Sequence, residues 1–342
     1  MDAAVPPRAP RPDAVAALVG ACSIELSPRD ELAGAGLRGL FPAATAVFVN
    51  QPASAMPHHV VAACARLRAA GFEPVPHVLA RPLTGFTQAS DFLARLAGEA
   101  GVTHVLLLGG DADRPAGPFR SAFDLLATGV AERHGIQQVS FAGYPEGHPR
   151  IDSATLQQAL RAKVELARQR GLAVWLVTQF GFEAAPIHAW IAAQRAAGID
   201  CPIRIGVAGP ASVATLAKYA VRCGIGTSLR ALARGHAAFA RILTEATPDA
   251  LVEALVAGGG EAGGAHGPDG GADGPDGSAV RPGDSAHGLT GDAGGGGAGE
   301  PRADRGAAWA SGEGAIGLHV FTFGGVRRTA DWVRGTLARH AV

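Results

Sequence analysis

Short apolar runs rich in β-branched residues recur along the chain, and each is followed by an Ala-, Leu- and Arg-rich stretch whose apolar positions return at helical spacing. Eight runs read as strands, over residues 21–25, 46–50, 74–79, 104–109, 138–142, 173–179, 203–207 and 317–323. Helices are predicted between them at 57–70, 87–100, 119–134, 153–170, 184–197, 211–222 and 228–256, with a last one at 327–340. Strand and helix in regular alternation is the pattern of a parallel sheet with crossover helices. The spacing shows no point at which the strand order must reverse. The expected fold is therefore α/β, a single (β/α)8 TIM barrel, with an open doubly wound sheet as the alternative. No GxGxxG follows the first strand and no GxxxxGK[ST] occurs, so neither phosphate-cradling fingerprint is present.

One stretch breaks the pattern. Between Gly258 and Gly314, 21 of 57 residues are Gly, and nine acids against three arginines give it a net charge of −6. Such a segment cannot bury enough apolar surface to offset its ordering entropy, so it is expected to be a disordered insertion before the last strand. GPDG occurs at Gly267 and Gly274, too few copies for a calcium-binding repeat. The expected organisation is a flexible segment at 1–19, barrel units one to seven at 20–257, the insertion at 258–314, and the last unit at 315–342.

Charge and cysteine usage narrow the partners. Lys+Arg and Asp+Glu number 30 each, which gives no electrostatic reason to expect nucleic acid or an anionic membrane. With −6 in the insertion, the remainder carries +6, a modest and unspecific excess that suits an anionic cofactor or a polyglutamate tail. Cys22, Cys64, Cys201 and Cys223 form no CxxC pair and read as reduced, buried thiols; no metal site is expected. No secretory signal and no apolar run of about 18 residues is visible, so the expected location is the cytoplasm. The Ala-rich helix faces leave monomer and homo-oligomer both open.

In a barrel of this kind chemistry sits at the C-terminal ends of the strands. The first strand carries Glu25, the second ends at Asn50 and Gln51, the third carries His77, and the fourth runs through Leu108, Gly109 and Gly110 to Asp111. Two glycines before an acid let a ligand approach the backbone closely. After the fifth strand Pro145 and Pro149 bracket a loop with Tyr144 and His148, which can offer a stacking face and a hydrogen bond or form a plain turn. The sixth strand ends in Gln179, an uncharged donor and acceptor suited to a heterocycle. A surface carboxylate at Glu25 and a core histidine at His77 remain the bland alternatives.

The ordered set SIEL-SP, PHV, L-GGD, YPEGHP, Lys163-Val164 and VTQF, continued by GIDCPIRIGVAGPASVATLAKYA and LHVFTF, resembles the methylenetetrahydrofolate reductase family. The resemblance implies a barrel that holds FAD, takes a hydride from NADH or NADPH, and reduces 5,10-methylenetetrahydrofolate to 5-methyltetrahydrofolate for one-carbon metabolism and methionine biosynthesis. It implies that Glu25 is the acid that helps open the folate ring, that Asp111 stabilises the resulting cation, and that Gln179 contacts the pterin. Asn50, His77, Leu108, Gly109, Gly110, Asp111, Ala122, Tyr144, His148 and Lys163 fall on FAD-contacting positions, with Lys163 suited to the diphosphate. Gly109 stands where the family has an arginine, Leu156 and Ala159 replace an acid and an asparagine, and Gly324 or Gly325 replaces a late arginine. A folate-linked barrel without tightly held FAD, or a non-catalytic folate or flavin binder, are the competing readings.

Overall fold

The computed structural model describes residues 12–30, 32–52, 55–222, 247–258 and 314–340. Eight parallel strands close a barrel in chain order: β1 (Ser23–Leu26), β2 (Ala46–Val49), β3 (Glu73–Leu79), β4 (His104–Leu108), β5 (Gln138–Gly143), β6 (Ala173–Gly181), β7 (Ile203–Ala208) and β8 (Ile316–Phe321). The ring closes where Ser23 lies opposite His319 and Glu25 opposite Phe321. The (β/α)8 barrel is therefore the fold, and closure rules out the doubly wound alternative.

Around the strands lie α1 (Pro12–Gly20), α2 (Pro57–Ala69), α3 (Phe86–Ala100), α4 (Ala122–Ala127), α5 (Val130–Arg133), α6 (Ser153–Gln169), α7 (Ala184–Ala196), α8 (Val213–Arg222), α9 (Asp249–Gly258) and α10 (Val326–His340). Strand residues alternate between two cores, as the two-residue period requires. On β2, Val47 and Val49 join the layer under the helices, while Ala46 and Phe48 fill the barrel with Val75, Leu106 and Val177. Near the strand N-termini Arg204 is buried, its guanidinium 5.5 Å from the Trp175 ring centroid and donating to the carbonyls of Ala21 and Leu318. This end of the barrel serves stability and leaves the other end for chemistry.

Three details differ from the sequence expectations. The flexible segment expected over 1–19 gives way to helix from Pro12, because Val15 and Val19, four apart on one face, are buried in the main core. The single helix expected at 119–134 is two, α4 and α5, broken at Gly129, whose φ of 69° is left-handed. β6 runs past Gln179 to Gly181 through an irregularity between Val177 and Phe180. Of the helix expected at 228–256 only residues 247–256 are described, helical from Asp249, and residues 259–313 of the expected insertion lie outside the described residues.

Cys22, Cys64 and Cys201 are free and buried, and burial pushes their thiols up to about 11, 12 and 11. Cys223 lies outside the described residues. No described helix is long and apolar enough to cross a membrane.

Candidate active site

Glu25 is placed by strand alternation. Its neighbours Ile24 and Leu26 pack outward under the helices, which turns the carboxylate into the barrel near its C-terminal mouth. There its Oε2 lies 3.3 Å from His77 Nε2 on β3 and 3.5 Å from His319 Nε2 on β8, while Asn50 Nδ2 donates to Oε1 at 3.3 Å. The side chains of Glu25, His77 and His319 are 14%, 11% and 0% exposed, so these charges interact with little water between them. Burial alone would raise the Glu25 carboxyl, but His77 and His319 together outweigh it and hold the group well below the usual carboxylate range. Burial pushes His319 down, against the pull of Glu25.

Neighbouring groups hold the cluster in place. The Phe48 ring meets His319 edge-on at 4.5 Å between centroids and His77 at 6.4 Å. Ser23 Oγ lies 3.0 Å from His319 Nδ1, and Thr322 donates its hydroxyl to the Glu25 carbonyl at 2.6 Å. Asn50 Oδ1, His77 Nε2 and His319 Nε2 are buried without a well-aligned hydrogen bond, and the two imidazoles act on Glu25 both as charges and as hydrogen-bond donors. Unfilled hydrogen-bonding capacity at a strand mouth is what a polar ligand can satisfy.

The other expected residues sit differently. Leu108 ends β4, and Gly109 and Gly110 follow, the latter with φ 92° against Leu79 and Pro82; any side chain there is strained. At Gly109 an added Cβ meets nothing within 4 Å. Asp111 is exposed and lies near enough to His148 to raise it, although burial and Arg150 together push that histidine down. Tyr144 and His148 meet edge-on at 5.2 Å around a turn closed by Gly147 N–H to Tyr144 O, with Pro145 and Gly147 in the positions such turns favour. Ala122 is buried at the start of α4, capped by Ser121, and Gln179 is half-buried at the irregular end of β6. Lys163 lies on α6. Its ammonium lies 5.2 Å from the centroid of Phe141, a residue of the layer between barrel and helices, and burial lowers it to about 8.

Glu25, Asn50 and His77 are thus brought together, and His319 with Ser23 completes the group unforeseen. The available signal was period two: His319 alternates with the buried Leu318 and Val320 in LHVF and so faces the barrel interior. Gly324 also has a local cause. A Cβ there would lie 1.9 Å from the Pro210 carbonyl oxygen, so no arginine fits at that position. Among the described residues no group of three or more His, Cys, Asp or Glu is arranged to hold a metal ion.

Comparison with known proteins gives one family match, to Methylenetetrahydrofolate reductase over residues 53–228, just over half of the chain. Among solved structures, a Yersinia pestis DHPS with a pterine-sulfa conjugate aligns at 13% identity and TM-score 0.39, over 71% of this chain and 95% of that one. A GH128 endo-beta-1,3-glucanase from Amycolatopsis mediterranei aligns at 14% identity and TM-score 0.23, over 51% of this chain and 82% of the other.

Proposed function

Because the chain belongs to the methylenetetrahydrofolate reductase family, we propose that it reduces 5,10-methylenetetrahydrofolate to 5-methyltetrahydrofolate with NADH or NADPH as the hydride donor. The observation that carries this reading is Glu25, buried at the barrel mouth between His77 and His319 and bonded by Asn50. A protein that only bound folate would gain nothing from desolvating a carboxylate there.

In this reading the bond from the bridging methylene to N10 breaks, its electron pair goes to N10, and N10 takes a proton from the Glu25 cluster. The carbon left behind is an iminium at N5, and the carboxylate of Asp111 stabilises that cation. Hydride added to the same carbon completes the methyl group. Gln179 supplies a donor and an acceptor for the pterin edge. Glu25 is held below the usual carboxylate range and is ionised at rest, so the proton it delivers to N10 is one taken up as the folate binds.

FAD is the cofactor the family implies, and when bound it supplies a two-electron carrier between NAD(P)H and folate. Asn50 Oδ1 and His77 Nε2, buried without aligned partners, together with the open space at Gly109, fit the polar edge of a planar ring. The diphosphate end fits poorly. Lys163 is directed over Phe141, and Gly109 offers no cation. This second observation favours a variant reading, in which FAD is loosely held or hydride passes directly from NAD(P)H.

Replacing Glu25 with Gln tests the central claim: turnover is expected to fall by about 10²–10⁴ with the fold intact. Activity within about threefold of the wild type would remove Glu25 from the mechanism. An absorbance spectrum of the pure protein, followed by turnover with and without added FAD, separates the flavin-dependent from the flavin-free form.

A further inference from the structure

His319 and Ser23 lie behind Glu25 and bear on where the proton for N10 is kept. His319 is fully buried, with Nε2 3.5 Å from Glu25 Oε2 and Nδ1 3.0 Å from Ser23 Oγ. The Ser23 hydroxyl donates to the Leu318 carbonyl at 3.2 Å. A serine hydroxyl has one hydrogen. The 3.0 Å contact to Nδ1 allows Oγ either to donate or to accept; with its hydrogen on Leu318, Oγ accepts from Nδ1 and the ring hydrogen of His319 lies on Nδ1. A neutral His319 then turns the lone pair of Nε2 toward a carboxylate oxygen, and two acceptors would face each other away from water. One proton between them removes the conflict, as imidazolium against carboxylate or as imidazole against carboxylic acid.

We propose that Ser23 and His319 are positioning residues that lock this tautomer and keep one proton between His319 Nε2 and Glu25 Oε2, ready for N10 of the folate. The inference rests on the reading of Glu25 as the acid. As the carbon–N10 bond breaks, the proton passes from Glu25 to N10, the electron pair of that bond accepts it, and a fresh proton from water restores the pair. The other groups facing this pair are His77 from β3, with Nε2 3.3 Å from the same Oε2, Asn50 from the end of β2, and Arg204 from β7, which acts on His319 through its charge.

Selective 15N-histidine NMR of the wild-type protein at neutral pH reads the tautomer without any need for turnover, with His319 assigned by the signal lost in His319→Gln. Hydrogen on Nδ1 is expected, with the Nε2 shift moving in Glu25→Gln. A neutral His319 carrying hydrogen on Nε2 overturns the proposal. In Ser23→Ala the ring is free to turn its hydrogen toward Glu25, so the stored proton is lost. The rate constant kcat is then expected to drop about tenfold, KM for folate to stay the same, and the limb on which kcat falls with rising pH to move to lower pH. Superimposable pH profiles for wild type and Ser23→Ala also overturn it. If the wild type reduces no folate while NMR shows Nδ1–H, the reading of the reaction fails and the proton-keeping arrangement stands.

Discussion

On β1, β3 and β8 a carboxylate and two imidazoles are packed beside Phe48 and largely shielded from water, whereas across the mouth, beyond β4 and β5, Asp111 is exposed and His148 lies on a surface turn. Both groups of residues fall on positions expected for chemistry. Only the first is desolvated, and only there do neighbouring charges move a carboxyl far from its usual range. The difference shows that residue type at a strand end marks a candidate, while burial by its neighbours decides how strongly its charge is controlled.

The sharpest way to break that comparison is to remove one partner from each side. His319→Leu strips a buried carboxylate of one polar partner and is expected to cost about 1–3 kcal/mol in urea unfolding. Asp111→Asn, on an exposed group, is expected to stay within about 0.5 kcal/mol. The cost of His319→Leu also has a pH sign. A carboxyl depressed in the folded state contributes stability above its unfolded value of about 4.3, and that contribution is lost as pH falls through the folded value. The gap between wild type and His319→Leu should therefore be full at pH 7 and close on acidification below about 4. Equal losses in the two variants would mean that the two sides are not distinguished by burial.

Gly109→Arg sharpens the comparison from the weaker side. An added side chain meets nothing near its Cβ, so the fold should accept it. If the end of β4 lies against the flavin diphosphate, a charge-assisted contact should tighten FAD binding by about tenfold, or about 1.4 kcal/mol. Titration calorimetry with FAD reads this directly, and an unchanged affinity would place the diphosphate elsewhere or exclude it.

Much of this was legible in the chain because strand alternation is a strong local signal. The LLLGGD and CSIEL runs place Gly110, Asp111 and Glu25 at strand ends without tertiary information. What could not be read was partnership across the ring. Ser23 and His319 are 296 residues apart, and only the closure of β8 on β1 brings them opposite each other. The same limit applies to Lys163. Its place on the sixth helix was visible, but whether its amine reaches the mouth or lies over Phe141 depends on how α6 packs against β5.

Lys163→Met separates those two placements with the smallest expected effect. Burial lowers the amine to about 8, so the folded protein holds this proton less tightly than the unfolded chain, whose value is about 10.4. Below about pH 8 both states are protonated and the full penalty of burying the ammonium is present; as pH rises toward 10 the folded amine goes neutral first and the penalty fades. A thioether of similar length removes the penalty and forfeits only a cation–π contact of about 0.5–1 kcal/mol. The variant is expected to be more stable at pH 7 by about 1 kcal/mol, a rise of roughly 2–4 °C in Tm, with the gain shrinking by pH 10. A lysine that serves the diphosphate would give the opposite pattern, in which Lys163→Met loses FAD affinity and gains no stability. Thermal melts at the two pH values, with and without FAD, tell the two apart.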